Sequence, residues 1–183
     1  MINNLIKRTI TSLFLILILC FCLFYSNYTW KTLVIIFSFL CFFEFYNLIN
    51  KIYKNKFFTS IIFFLIALYL YFFYFFLIKL KIDFSEWLII ILFITCIFSD
   101  IGGYVVGKLI GGPKLISISP NKTVSGALGS ILFTVIGTSS FIIFLDKIDE
   151  NLISLEFSII NFAWLAIMSL LCQMGDLFVS YLK

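Results

Sequence analysis

The residues that could do chemistry are concentrated in one stretch of the chain. Eight of the nine glycines and both prolines fall between Gly102 and Gly137. The same stretch holds lysine, hydroxyl and amide side chains, namely Lys108, Lys114, Lys122, Ser119, Asn121, Thr123 and Ser125. Backbone N–H groups, a lysine charge and hydroxyls are the groups that bind phosphate oxygens. The stretch therefore predicts a site for an anionic, phosphate-bearing ligand; a solvated loop, with a helix-packing face at Gly103-x-x-x-Gly107, is the alternative.

Three carboxylates are expected at or near membrane depth: Glu44, Asp100 and Asp176. A carboxylate at the centre of a membrane costs about 2.5–3.5 kcal/mol, so such residues face a bundle interior or a wet cavity. Asp100 and Asp176 come from different runs and could meet in one site, where Mg²⁺ bridging phosphates would suit them. Glu44 lies close to the end of its run, and both structural pairing and function stay open for it.

The composition indicates that membrane helices position these residues. Of the 183 residues, 63% are hydrophobic and 12% are charged, whereas a soluble domain is about half apolar and roughly a quarter charged. The chain is therefore expected to be an integral membrane protein. It has no histidine, which excludes acid–base catalysis, metal ligation and haem ligation by histidine. Its five cysteines fall inside apolar runs without a C-x-x-C pair, so we expect buried small hydrophobic residues and no redox or zinc site.

Six apolar runs predict an all-α, polytopic bundle of about six transmembrane helices. They cover residues 10–25, 30–49, 57–78, 84–98, 127–145 and 157–172, and the fourth and sixth are expected to run on. Residues 57–78 would form a helix of about 33 Å, against a hydrocarbon core of about 30 Å. Backbone groups in lipid need partners within their own segment, so these runs must be helical. We predict one transmembrane domain over residues 1–183, with N-terminal helices in 1–98 and the candidate site in 99–183.

The distribution of basic residues predicts the orientation of the helices. With the N-terminus in the cytoplasm, the connections on that side collect nine of the 13 basic residues and the outer connections collect four. Because basic residues favour the cytoplasmic side, the 99–126 segment and the C-terminal tail are expected to face the cytoplasm. The net charge of +4 suggests an anionic membrane surface or anionic substrates. No basic stripe of the kind that binds nucleic acid appears, so we expect no nucleic-acid partner.

Three blocks of the sequence resemble the core of the phosphatidate cytidylyltransferase family, also called CDP-diglyceride synthases. They are Ser99-Asp-Ile-Gly-Gly-Tyr104, Ser119-Pro-Asn-Lys-Thr123 and Gln173-Met-Gly-Asp176. The matching motifs lie within about residues 95–183. The preceding helices resemble the family in their hydrophobic character alone. The resemblance implies a nucleotidyltransferase of the bacterial inner membrane that condenses CTP with phosphatidic acid. The products would be CDP-diacylglycerol and pyrophosphate, with Mg²⁺ as cofactor, and membrane lipid and a second copy of the chain are candidate partners.

The resemblance also implies a role for each matching polar residue. Asp100, Lys122 and Asp176 would be catalytic, and Asp176 would be the metal ligand. The substrate-binding residues would be Ser119, Asn121, Thr123, Lys114, Ser180 and Lys183. Lys122 would hold phosphate oxygens together with Ser119 and Thr123, while the two aspartates would organise metal or water.

The sequence departs from the family in two places. Val124-Ser125-Gly126 replaces the family's Trp-Glu-Gly after the second block, which removes a carboxylate. The family's C-terminal signature continues into further aspartates that hold the metal, whereas this sequence ends at Lys183. From these departures we expect a truncated member with little or no transferase activity. Three alternatives stay open: another CTP-dependent lipid enzyme, a small transporter subunit with an ion path along Asp100 and Asp176, and a membrane protein without catalysis.

Overall fold

The computed structural model describes residues 2–52, 55–116, 122–148 and 159–182, and these residues form six helices. The helices are α1 (Ile2–Tyr25), α2 (Asn27–Ile52), α3 (Lys56–Asp83), α4 (Glu86–Ile110), α5 (Val124–Ile148) and α6 (Ile159–Leu182). Within those ranges the one β-type pairing is an isolated bridge between Lys114 and Thr123. The prediction of an all-α fold is confirmed.

Each predicted apolar run corresponds to one helix. Five helices, α2 to α6, are long and apolar enough to cross a membrane, and α1 carries the shorter apolar segment Ile10–Tyr25. These helices also expose many large aliphatic and aromatic side chains, as lipid-facing surfaces do. The chain is therefore an integral membrane protein built as a helix bundle. As expected, α4 runs on past Asp100 to Ile110, and α3 extends beyond its predicted end at residue 78 to Asp83.

The chain divides into two compact units, residues 1–86 and 87–183. The first unit contains α1, α2 and α3. Its buried centre includes Trp30, which is 1% exposed and whose Nε1 donates to the carbonyl of Leu77 at 3.4 Å. This bond joins the beginning of α2 to the last turns of α3. Glu44 lies on the exposed surface of α2.

Lys81 is a buried lysine near the C-terminal end of α3, with 7% of its surface exposed. Its Nζ donates to the carbonyl oxygens of Leu23 at 2.5 Å and Ser26 at 3.2 Å, where α1 ends. The last carbonyls of a helix lack partners within the helix, and a cation there also interacts favourably with the helix dipole. Lys81 therefore fastens the end of α1 to α3. The sequence placed this lysine in a connection between helices and did not predict its structural role.

Lys81→Met is expected to destabilise the first unit by about 1–3 kcal/mol, because buried carbonyl groups lose their donor. For a chain of this length, each kcal/mol corresponds to roughly 2–4 °C in melting temperature. Thermal unfolding in detergent, followed by circular dichroism, measures the shift.

Lys79→Met is the matched control for Lys81→Met. It removes the same charge from an exposed pair with Asp83, whose carboxylate lies 4.0 Å away. Such exposed pairs contribute about 0–1 kcal/mol, so its melting temperature should change little. Equal losses in the two variants would contradict a special role for the buried lysine.

In the second unit, α4 and α5 pack antiparallel with their backbones in contact. A Cβ atom at Gly102 would lie 2.5 Å from the carbonyl oxygen of Gly129. One at Gly126 would lie 2.8 Å from the carbonyl oxygen of Gly103 and 3.3 Å from the Cα of Gly107. Small residues permit such close approach between membrane helices. The helix-packing face therefore consists of Gly102, Gly103, Gly107, Gly126 and Gly129.

Buried hydroxyl groups line the interior of the second unit. They belong to Thr95, Ser99, Ser130, Thr134, Thr138 and Ser169. The Oγ atoms of Ser99 and Ser169 lie 3.0 Å apart and join α4 to α6. Thr138 donates to Thr95 at 3.5 Å and joins α5 to α4. Because a buried hydroxyl needs a hydrogen-bond partner, these pairs favour one register of the three helices.

The cysteines differ from the expectation. Cys41 and Cys96 are exposed, while Cys20, Cys22 and Cys172 are half-buried. The prediction of five buried hydrophobic residues is therefore wrong. A thiol is only weakly polar, so it can lie on the surface of an apolar helix at little cost.

Candidate active site

A cavity of about 300 Å³ lies in the second unit, between α4, α5, α6 and the connection that joins α4 to α5. Its lining consists of Ser99, Asp100, Gly103, Tyr104, Leu115, Lys122, Thr123, Gly126, Ala127, Ser130, Gln173 and Asp176. The glycine-rich stretch and the C-terminal block of the sequence therefore meet at one place, although more than 50 residues separate Lys122 from Asp176.

Three charged side chains define the electrostatics of the cavity. Lys122 Nζ donates to Asp176 Oδ2 at 3.1 Å, and their side chains are 28% and 57% exposed. Asp100 interacts electrostatically with both of them. The structure thus brings together the two aspartates that the sequence allowed to meet. Asp176, the present partner of Lys122, is only partly buried. The ammonium can therefore turn away from this carboxylate towards an incoming anion.

The N-terminus of α5 borders the same cavity. Thr123 caps this helix, since its Oγ1 accepts from the backbone N–H of Gly126 at 3.1 Å. Its carbonyl oxygen also accepts from the N–H of Ala127 at 3.1 Å. The first turn of a helix carries a partial positive charge and binds anions readily. The cavity therefore offers an anion two sources of positive charge, the dipole of α5 and the ammonium of Lys122.

Backbone bonds position the connection that carries Lys122. α4 ends where Gly111 takes a φ of 67° and its N–H bonds to the carbonyl of Gly107 at 3.1 Å. Only a residue without a Cβ adopts that conformation readily. Further along, Leu115 N–H donates to the carbonyl of Lys122 at 2.8 Å, and Val124 N–H donates to Pro113 at 3.0 Å. These two bonds close the connection and hold the backbone of Lys122 beside α5.

Comparison with known proteins shows the family of the chain. Residues 48–183 match the model of the cytidylyltransferase family. The chain belongs to the cytidylyltransferase family. The matched region includes every described residue that lines the cavity.

Curated members of the cytidylyltransferase family are similar to part of the chain. The phosphatidate cytidylyltransferase of Helicobacter pylori strain J99 is 36% identical over 103 residues, which cover 55% of this chain and 35% of that protein. The protein of the same name from Synechocystis is 47% identical over 55 residues, which cover 27% of this chain and 19% of that protein. The chain thus spans about a third or less of the length of the curated relatives it matches. No solved structure matches the chain.

The structure brings some of the predicted site residues into the cavity and leaves others outside. Asp100, Lys122, Thr123 and Asp176 line it. Lys114 and Ser180 are described but do not belong to its lining, although Ser180 lies one helical turn beyond Asp176 on α6. Ser119, Asn121 and Lys183 lie outside the described residues. The Thr123 hydroxyl accepts the cap bond of α5 and keeps its O–H as a donor, but its Oγ1 also lies 3.0 Å from Ser125 Oγ, so the predicted contact with phosphate would compete with that contact.

Gln173 and Ser130 are among the polar residues of the cavity that were not predicted as site residues. Gln173 Nε2 donates to the carbonyl of Ala127 at 3.3 Å and to Ser169 Oγ at 3.4 Å, which fastens α6 to α5. Ser130 faces Gly103 across the contact of α5 with α4, and a Cβ on that glycine would lie 2.6 Å from Ser130 Oγ. Two signals for Gln173 were present in the sequence: an amide inside an apolar run, three residues before Asp176, and its place at the start of the third block that resembles the family.

The donor set of the cavity suits a metal ion that arrives with phosphate ligands. Among the described residues, no group of three or more histidine, cysteine or acidic side chains could hold a metal. Asp100 and Asp176 nevertheless line one cavity. Mg²⁺ is commonly held by one or two carboxylates together with substrate phosphates. The two aspartates therefore fit Mg²⁺ as the companion of a nucleotide.

Proposed function

We propose that the cavity is the substrate site of a CTP:phosphatidate cytidylyltransferase. The observation that carries this proposal is the cavity itself, which combines Lys122, Asp100 and Asp176 with the N-terminus of α5 inside a membrane helix bundle. Membership of the cytidylyltransferase family and the shared name of the curated relatives support it. The products would be CDP-diacylglycerol and pyrophosphate.

The reaction requires charge neutralisation and alignment of two phosphate groups. An oxygen of the lipid phosphate attacks the α-phosphorus of CTP, and the bond to the bridging oxygen breaks as pyrophosphate leaves. Lys122 exchanges its bond to Asp176 for a bond to a phosphate oxygen, and its ammonium stabilises the charge that develops there. The dipole of α5 acts on the same oxygens. Asp176 is then released from the ammonium and lies beside the phosphates.

Asp100 and Asp176 are the residues that would hold Mg²⁺ when the nucleotide brings it. When bound, the ion would neutralise phosphate charge and help to orient the leaving group. The two aspartates line the cavity from two different helices, α4 and α6.

The location of the site follows from the same chemistry. CTP is soluble in water and phosphatidic acid lies in the membrane, so both reach a cavity that opens where membrane helices end. We place this end of the second unit and the N-terminus on the cytoplasmic side because basic residues are concentrated there. The relatives come from bacteria, and the proposed membrane is the inner membrane.

The test uses the natural gene product that contains these 183 residues, purified in lipid nanodiscs. With labelled CTP, phosphatidic acid and Mg²⁺, CDP-diacylglycerol and pyrophosphate should form in equal amounts. Asp176→Asn should lower kcat/KM by about 10²-fold or more, as expected for loss of a group that acts on the transition state. Asp83→Asn is the control, because that carboxylate is exposed in the first unit.

Other outcomes distinguish the alternatives. Labelled product with a different lipid acceptor, and none with phosphatidic acid, would replace the proposed substrate while retaining CTP. An unchanged rate in Asp176→Asn would contradict the proposed site. Ion flux through proteoliposomes that is lost in Asp100→Asn, without CTP binding, would favour a transporter.

A further inference from the structure

Two thiols lie in contact beside the cavity. Cys96 Sγ of α4 is 3.2 Å from Cys172 Sγ of α6. Cys96 comes four residues before Asp100, and Cys172 comes four residues before Asp176. Because four residues are about one helical turn, each thiol lies one turn from a carboxylate of the cavity. Adjacent to this pair, Ser99 and Ser169 make another contact between the same two helices.

We propose that Cys96 and Cys172 are an oxidation site whose disulfide ties α4 to α6 and lowers the affinity of the cavity for CTP. The effect on CTP rests on the proposed function, whereas the disulfide and its effect on the helices do not. The oxidant is molecular oxygen. The two S–H bonds break, one S–S bond forms, and the two electrons and two protons that are released reduce half an oxygen molecule to one water molecule.

The contact needs little rearrangement to become covalent. A disulfide has an S–S distance of about 2.05 Å, so the sulfur atoms must approach by roughly 1 Å. Cys96 is exposed and Cys172 is half-buried, which leaves the pair accessible to a small oxidant in the membrane. Cys20, Cys22 and Cys41 belong to the other compact unit.

The size of the cavity explains why a fixed α4–α6 distance would weaken binding. Its volume of about 300 Å³ is at the lower end of the range for ligand sites, roughly 300–1,000 Å³. A nucleoside triphosphate together with a lipid phosphate requires more room, so the lining helices must separate. In the thiol state α6 is joined to its neighbours by hydrogen bonds such as Ser99–Ser169 and Gln173–Ala127, which can break and re-form. A covalent bond beside them prevents that separation.

The first experiment tests whether the disulfide forms. The background variant carries Cys20→Ser, Cys22→Ser and Cys41→Ser. Its two remaining thiols are those of Cys96 and Cys172. Copper–phenanthroline in air is added to this variant in nanodiscs, and free thiols are counted by maleimide labelling and mass spectrometry. We expect both thiols to disappear in a monomeric chain and to return with dithiothreitol. Two free thiols after treatment, or only a dimer linked through Cys96, would overturn the proposal.

The second experiment measures the consequence for the cavity. Oxidation should weaken CTP binding by about tenfold or more in isothermal titration, and reduction should restore it. Cys172→Ser in the same background should bind CTP equally well with and without the oxidant. A formed disulfide that leaves the CTP affinity unchanged would overturn the proposed effect on binding.

Hydrogen exchange separates this inference from the proposed function. Backbone amides at 99–104 and 173–176 should exchange more slowly after oxidation, because helix separation exposes them. Slower exchange in a protein that binds no CTP in either state would refute the proposed substrate and leave the helix tie intact. Unchanged exchange despite a formed disulfide would refute the helix tie itself.

Discussion

Gly102→Ala is expected to destabilise the second unit by about 3 kcal/mol, the upper part of the range usual for overpacking. The new Cβ would lie 2.5 Å from the carbonyl oxygen of Gly129 and 2.5 Å from Phe133 Cβ. A backbone carbonyl cannot rotate away, so α4 and α5 must move apart. Thermal unfolding in detergent should show a melting temperature lower by roughly 6–12 °C, taking about 2–4 °C for each kcal/mol.

Gly175→Ala is the matched control for Gly102→Ala. It makes the same substitution within α6, where a Cβ would meet nothing within 4 Å. Alanine is favoured over glycine in a helix interior by about 0.8–1.0 kcal/mol, so the melting temperature should stay the same or rise. A comparable fall in both variants would show that the close contact between α4 and α5 is not what the alanine disturbs.

The sequence predicted the helices well because lipid leaves the backbone few choices. An apolar run in a membrane must satisfy its own N–H and C=O groups, and each of the six runs corresponds to one helix. The glycine-rich stretch was interpreted either as an anion site or as a helix-packing face. The structure shows the packing face, since Gly103 and Gly126 bring α4 against α5. The same two glycines line the cavity, for which anion binding stays a prediction.

Composition could not predict which lysine of the α4–α5 connection lies at the cavity. Lys114 and Lys122 both belong to the connection between α4 and α5, and both were predicted to contact substrate. Leu115 lines the cavity, whereas Lys114 is exposed and lies outside the lining. The backbone bond from Leu115 to Lys122 holds the other lysine at the cavity. This pairing depends on a register that the residue types do not reveal.

Sequence patterns also could not predict contacts between residues of different helices. Lys81 had the appearance of a loop lysine, because the apolar run before it ends at residue 78. Its role depends on where α1 leaves unpaired carbonyl groups, which is a property of tertiary structure. The thiol contact of Cys96 with Cys172 could not be predicted either, because it joins two apolar runs whose relative rotation the sequence does not specify.

Lys122→Gln is expected to weaken CTP binding by about 100-fold, or roughly 2.7 kcal/mol, without a matching loss of stability. Lys122 is the one basic side chain among the described residues that line the cavity. Glutamine keeps a hydrogen-bond donor of similar length but leaves Asp100 and Asp176 to repel the triphosphate. Isothermal titration of the protein in nanodiscs with CTP and Mg²⁺ measures the change.

Stability and binding should respond differently to this substitution, and that difference tests the role of Lys122. Its pair with Asp176 is partly exposed, at 28% and 57%, and a pair of this kind contributes about 0–1 kcal/mol. A purely structural pair would therefore change the melting temperature slightly and leave CTP affinity intact, which would contradict the proposal. Lys147→Gln removes the same charge from the other end of α5 and should bind CTP normally. If Asp176 acts through the lysine, the double variant Lys122→Gln/Asp176→Asn should lose less CTP binding free energy than the sum of the losses in the two single variants. The effects of substitutions within one network are not additive.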